Sequence, residues 1–174
     1  TEKEEDRKKA FFWATQSREP YPWYQHEEIG YNYRMSNVVA GIGRGQLLHL
    51  EEHRERKTAI YRRYEAAFRD LPVTMNPYFE DTVPNFWLSC LLMDENCPVQ
   101  PLALMEALAQ NNIEARPIWK PMHMQPVFAG HDFITVAEKP VNEDIFRRGL
   151  CLPSDIKMTE AEQDRVIDVI RKCF

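Results

Sequence analysis

Phe86-Trp87-Leu88-Ser89-Cys90-Leu91-Leu92-Met93 carries no charge and a single hydroxyl. A short apolar run of this kind reads as a central strand buried on both faces. Working outward, Pro101 to about Gln110 reads as a helix closed by Asn111-Asn112. Ile113 to Ile118 then reads as extended, because the residue before Pro117 is pushed away from helical geometry. Further on, Asn142 can cap a short helix with acids first (Glu143, Asp144), bases last (Arg147, Arg148) and Gly149 as its stop. Leu150-Cys151-Leu152 follows as a short strand. The final helix opens with Thr159 and Glu162 at capping-box spacing and is expected to bury Val166, Val169, Ile170 and Phe174 on one stripe. Strands interleaved with helices predict an α/β or α+β domain over 72–174.

Upstream the pattern is different. From Ser36, a plausible N-cap, one long helix is expected over 36–71, with Leu47, Leu50, Ile60, Tyr64, Ala67, Phe68 and Leu71 at three- and four-residue intervals. Within it, Ala40-Gly41-Ile42-Gly43-Arg44-Gly45 lowers helix propensity by about 1 kcal/mol per interior glycine, which suggests close packing against another helix. This long helix reads as a connection between two domains. Residues 1–35 read as a stub of something larger: a charged helix runs into Ala10-Phe11-Phe12-Trp13 without an opening cap. An aromatic, proline-containing loop, Arg18 to His26, then leads to Gly30.

The chain has 174 residues, enough for a sizeable core, and 44% hydrophobic and 28% charged residues, as a globular domain has. Twenty-two basic against 27 acidic residues leave a net charge of −5. That argues against a nucleic-acid partner, which needs a concentrated basic face. No stretch approaches the roughly 18 apolar residues of a membrane span, and Thr1-Glu2-Lys3-Glu4-Glu5-Asp6 is unlike a signal peptide, so a cytoplasmic location is expected. Cys90, Cys97, Cys151 and Cys173 form no C-x-x-C pair and read as buried, reduced thiols.

Three segments carry candidate chemistry. Gly30-Tyr31-Asn32-Tyr33-Arg34-Met35-Ser36-Asn37 places an amide, phenols and a guanidinium in the turn before a helix N-terminus, where backbone N–H groups and the helix dipole favour a phosphate. An ordinary capped turn is the alternative. Arg116-Pro117-Ile118-Trp119-Lys120-Pro121-Met122-His123 is a proline-stiffened loop. Its arginine suits a diphosphate, its tryptophan can stack on a base or sugar, and its histidine can donate to a sugar hydroxyl; a structural crossover with His123 packed is the alternative. His49-Leu50-Glu51-Glu52-His53 matches the H-x-x-E-H zinc pattern. It sits, however, in a charged run with partners such as Glu52 and Arg56, as a solvated helix face does, and no metal is expected. No P-loop, G-x-S-x-G or G-x-G-x-x-G occurs.

Taken together, Tyr24-Gln25-His26 through Gly30-Tyr31-Asn32-Tyr33-Arg34-Met35-Ser36, Arg116-Pro117 through Pro121-Met122-His123, and Gly149-Leu150-Cys151-Leu152-Pro153-Ser154 resemble the DegT/StrS family of pyridoxal-phosphate-dependent nucleotide-sugar aminotransferases. The resemblance runs from about Phe12 to the end and is closest to enzymes that aminate a UDP-linked 4-keto sugar on the way to bacillosamine. It implies the C-terminal domain of the type I aminotransferase fold, with 1–35 a remnant of the large cofactor-binding domain, 36–71 the connecting helix and 72–174 the small domain. It also implies a homodimer in which Asn32 reaches the phosphate of the partner subunit's pyridoxal phosphate. Tyr33 and Arg34 are then expected near the substrate, and Arg116, Trp119 and His123 along the nucleotide-sugar.

The family's Schiff-base lysine lies in a Gly-Asn-Lys-type motif, and nothing in this sequence matches it. The resemblance therefore implies no catalytic residue within these 174 residues. The parent protein is expected to transfer an amino group, from glutamate, to a 4-keto nucleotide-sugar in surface-polysaccharide or glycan biosynthesis. The fragment alone is expected to be inactive and not to bind the cofactor. The alternatives are a module that binds a nucleotide-sugar without chemistry and, as the weakest reading, an H-x-x-E-H zinc metalloprotease.

Overall fold

The computed structural model describes residues 1–136 and 139–174. They divide into two compact units, Thr1–Leu50 and Glu51–Phe174.

In the first unit, helix α1 (Glu4–Ala14) has no side-chain cap but carries Glu4, Glu5 and Asp6 in its first turn, which complements the positive end of its dipole. The chain then turns through Gln16 and Ser17, both at positive φ (72° and 50°). It later returns alongside itself: Tyr31 N–H donates to the Trp13 carbonyl at 2.7 Å and Tyr33 N–H to the Ala14 carbonyl at 3.1 Å. Where the two stretches cross, a Cβ on Gly30 would overlap the backbone of Gln16 and Ser17. Only glycine permits that approach. Helix α2 (Asn37–Leu47) follows, with the Ser36 hydroxyl accepting from Val39 N–H.

The single helix expected over 36–71 is two helices, because α3 (Leu50–Ala67) begins after a turn at Leu48-His49. Helices in proteins are held chiefly by a packed face. That face consists of Ile60, Tyr61 and Tyr64 in α3 and Phe68 just beyond it, whereas Leu47, Leu48 and Leu50 stay exposed and anchor nothing. Among the described residues nothing lies within 4 Å of a Cβ placed on Gly41, Gly43 or Gly45, so the close helix packing expected of these glycines is not made within this chain.

The second unit is built on a four-stranded antiparallel sheet in the order β1-β2-β4-β3, with β1 Val73–Met75, β2 Ser89–Met93, β3 Arg116–Pro117 and β4 Gly149–Leu152. β2 is interior, as expected, but buried on one face only. Ser89, Leu91 and Met93 are buried, whereas Cys90 and Leu92 are partly open. The reason is that the helices cover a single face, on which Leu91, Met93, Leu150 and Leu152 join Tyr64 and Phe68 beside α3, Leu104 and Leu108 of α4 (Pro101–Gln110), and Val166 and Ile170 of α6 (Glu160–Arg171). Antiparallel sheets tolerate such one-sided covering.

Phe86, Trp87 and Leu88 lie outside the strand. Phe86 adopts φ 46° and stacks on Tyr61 at 4.2 Å between ring centroids, while Trp87 turns outward. Helix α5 (Val141–Arg148) starts after Pro140, with Asn142 inside its first turn rather than capping it. Gly149 ends that helix where a Cβ would come within 2.5 Å of Ile118 and 2.6 Å of the Ile145 carbonyl. α6 has the full capping box, Thr159 and Glu162 each bonding the other's backbone N–H. Its buried stripe is Val166, Ile167, Val169 and Ile170, and Phe174 lies beyond its end, partly exposed.

Candidate functional site

The candidate residues fall into three places. In the first unit, the turn at 30–37 is held from behind by the pairing of Thr15 with Asn32 and projects its side chains outward. Tyr31 and Tyr33 stack at 5.1 Å, the Arg34 guanidinium lies 5.1 Å from the Phe11 ring centre, and Tyr33 is 75% exposed. Asn32 is exposed at the rim of a shallow cleft lined also by Gln16, His26 and Gly30. His26 Nδ1 sits 2.8 Å from the Gln16 carbonyl and braces the rear of that cleft. The exposed carboxamide has the donor chemistry of an anion site, and at the end of the same turn the Ser36 hydroxyl already accepts from Val39 N–H.

The second unit holds a cavity of about 850 Å³. Arg116 and Trp119 line it together, with Trp87, Cys151, Ser154 and Lys157. Trp87 and Trp119 lie 6.0 Å apart with ring planes tilted by 31°, an aromatic pair that forms one apolar side of the cavity on which a flat ring can stack. Arg116 is strongly exposed, with its guanidinium on Glu114 at 2.7–2.8 Å. An exposed ion pair of this kind is held weakly, so the fork remains able to exchange Glu114 for a ligand anion.

Lys57 does not line this cavity but braces it from behind, a role that the sequence concealed. Its ammonium donates to the Trp87 carbonyl at 2.9 Å and also to the Ser154 carbonyl, joining two walls. Burial pushes this ammonium below the ordinary lysine range, and the charge of Asp155 opposes that shift. In the sequence Lys57 closes a charged run that reads as solvated, and Trp87 reads as strand interior. Only the long-range fold reveals either role.

His123 stands elsewhere. It is not among the cavity's lining residues, and it lies in the short 3-10 turn Met122–Met124. Its Nε2 is 3.0 Å from Glu143 Oε1, its ring stacks on Phe133 at 3.6 Å, and Glu143 also receives Arg147 at 2.8 Å. The loop thus brings Arg116 and Trp119 together and leaves His123 in its own carboxylate and aromatic clamp. Glu143, 20 residues away, left no local signal. Of the zinc pattern, His49 lies in the turn before α3 and only His53 within it. Among the described residues, no group of three His, Cys, Asp or Glu side chains is placed to hold a metal.

The fold is that of the type I pyridoxal-phosphate aminotransferases. A DegT DnrJ EryC1 StrS aminotransferase from Brucella abortus superposes with a TM-score of 0.80 at 25% identity, over 99% of this chain and 44% of that one. EpsN of Bacillus subtilis (strain 168), a candidate pyridoxal phosphate-dependent aminotransferase, is 46% identical over 168 residues, covering 95% of this chain and 43% of EpsN. The GDP-perosamine synthase of Vibrio cholerae is 29% identical over 154 residues, 87% of this chain and 41% of its own. Residues 1–171 match the DegT/DnrJ/EryC1/StrS aminotransferase family, and the chain belongs to it. The chain spans about two-fifths of the length of these curated relatives.

Proposed function

We propose that this chain is the partner-reaching half of an enzyme that transfers an amino group, from glutamate, to the keto carbon of a 4-keto nucleotide-sugar. The enzyme works as a cytoplasmic homodimer in surface-polysaccharide or glycan biosynthesis. Family membership supports the reaction class. EpsN by its description and the V. cholerae protein by its name support the cofactor and the nucleotide-linked amino sugar. When bound, pyridoxal phosphate supplies the electron sink for the transfer.

The donor set at the turn fits a cofactor phosphate. Asn32 offers an exposed carboxamide in the turn that leads to α2, and the proposal gives it the phosphate of the partner subunit's cofactor. Tyr33 and Arg34 border the substrate from the same turn. Arg116 takes a phosphate of the nucleotide, Trp119 stacks on its base beside Trp87, and His123, its Nε2 held by Glu143, offers Nδ1 to a sugar hydroxyl. The observation that carries the nucleotide reading is the Arg116, Trp87 and Trp119 cavity. The same cavity favours a second reading, a module that binds a nucleotide without chemistry.

Adding pyridoxal phosphate, glutamate and a keto nucleotide-sugar to the 174-residue chain is expected to give no lysine-dependent absorbance band and no amino sugar. The full-length polypeptide is expected to give both. Turnover by the chain alone refutes the proposed division of labour, and no turnover by the full-length protein refutes the reaction. Saturable quenching of tryptophan fluorescence in the chain by UDP, without turnover by the full-length protein, favours the second reading.

A further inference from the structure

The sheet face turned away from the hydrophobic core, where Cys151 is buried and Cys90 half-buried, carries a feature that the proposed reaction does not use. Cys90 on β2 and Cys151 on β4 are register partners, and their sulfurs are 3.5 Å apart. Cys90 turns its backbone away from β4: its N–H donates to the Asn76 side chain at 2.9 Å, and its carbonyl accepts from Asn76 N–H at 2.8 Å. The two cysteines therefore form a non-hydrogen-bonded antiparallel pair, the register in which facing side chains approach most closely, with Cα atoms about 4.5 Å apart. That spacing falls inside the range of about 4.4 to 6.8 Å that a disulfide spans. All four cysteines are free thiols; Cys151 and Cys97 are both buried, but Cys151 lines the cavity whereas Cys97 lies in the hydrophobic core, and Cys173 donates to the Val169 carbonyl at 3.3 Å. Cys151 also lines the cavity, with Arg116 as its register partner on the other side.

We propose that Cys90 and Cys151 are an oxidative modification site, a dithiol that hydrogen peroxide converts to a cross-strand disulfide. Cys151, which faces the cavity, attacks first. Its sulfur bonds one peroxide oxygen as the O–O bond breaks, and the departing hydroxide leaves as water with the thiol proton. Cys90 sulfur then attacks the sulfenic sulfur of Cys151. The S–S bond forms, the S–O bond breaks, and the oxygen leaves as a second water with the Cys90 proton. Each sulfur loses one electron and the peroxide gains two.

The electrostatics of the pair support that order. Hydrogen bonding from Cys90 holds the Cys151 thiol below its ordinary range despite burial. The same contact, with burial, pushes Cys90 well above its own, since the pair resists losing a second proton. The bridge ties β2 to β4 along the row that ends at Arg116, beside the cavity.

The test is hydrogen peroxide added to the reduced chain, read by intact mass and peptide mapping. The expected result is a loss of about 2 Da and a fall from four free thiols to two. A Cys90 to Cys151 cross-link should form on the order of tenfold faster than Cys97 or Cys173 reacts, and dithiothreitol should reverse it. The Cys90→Ser variant should instead gain about 16 Da at Cys151. The proposal is overturned if the disulfide joins other cysteines or two chains. It is equally overturned if no 2 Da loss appears at peroxide levels that oxidise exposed Met35, which is about 70% accessible. Mapping of the unsubstituted chain decides the matter even if the serine variant fails to fold.

Discussion

Lys57 shows how much a single side chain can do when it is placed under a wall rather than in a pocket. Its ammonium carries the Trp87 and Ser154 carbonyls at once, so the position of the Trp87 ring depends on it. Lys57→Met keeps the aliphatic stem and removes the donor, leaving the part-buried Ser154 carbonyl and the exposed Trp87 carbonyl without their shared partner. A destabilisation of about 1 to 3 kcal/mol in urea denaturation is expected, with a shift in the tryptophan emission maximum as Trp87 is released. An unchanged spectrum would mean that the ring holds its place by other contacts. Nothing local in the run Glu51 to Lys57 distinguishes this lysine from Arg54 and Arg56, which pair with Glu51 and Glu52 on the surface. Its partners are 30 and 97 residues away, and periodicity carries no information at that range.

At the level of elements, legibility follows the distance over which each is specified. α6 is written into adjacent residues: Thr159 accepts from Glu162 N–H at 3.3 Å, and Glu162 accepts from Thr159 N–H at 2.7 Å. Thr159→Ala should cost about 1 kcal/mol, seen as a lowered urea midpoint with unchanged slope, whereas Thr159→Ser should cost little. α4 and its closure at Asn111-Asn112 were equally readable, Asn112 adopting φ 57° as the helix ends. The break between α2 and α3 was not, because no proline marks it and the glycines that looked suspicious lie inside α2. What decides it is which apolar residues find a core, a tertiary fact. The same reasoning covers β2, whose run of apolar residues cannot announce that only one face will be covered. In the candidate site, the turn at Asn32 and the pairing of Arg116 with Trp119 were legible as composition, while the clamp of Glu143 and Phe133 on His123 was not.

For the second unit as a whole, the ends of the fold are fastened by charge. Arg171 near the C-terminus of α6 grips Asp70 through two bonds of 2.7 and 2.8 Å and also donates to the Ala67 carbonyl at 2.5 Å. The guanidinium, with a backbone hydrogen bond, holds the Asp70 carboxyl down at about 2, against an ordinary 3.8. A carboxyl depressed in the folded state binds fewer protons there than in the unfolded chain. Its contribution to stability is therefore complete above pH 3.8 and drains away as the pH falls towards 2. Thermal melts of Asp70→Asn and the unsubstituted chain should accordingly differ at pH 6 and converge at the acid end of that window. Parallel curves would show that the pair contributes nothing. Because Asp70 is exposed, salt should shrink the difference.

The sheet has one further property with consequences in concentrated solution. Its outer strand on one side, β3, is only Arg116–Pro117, paired to β4 through Leu150 and Cys151. A proline has no amide hydrogen to offer, and two residues are too few to seed a ladder. That border cannot recruit a strand from a neighbouring molecule, so the chain can hold its cavity loop at the very margin of a sheet without making that margin a point of aggregation.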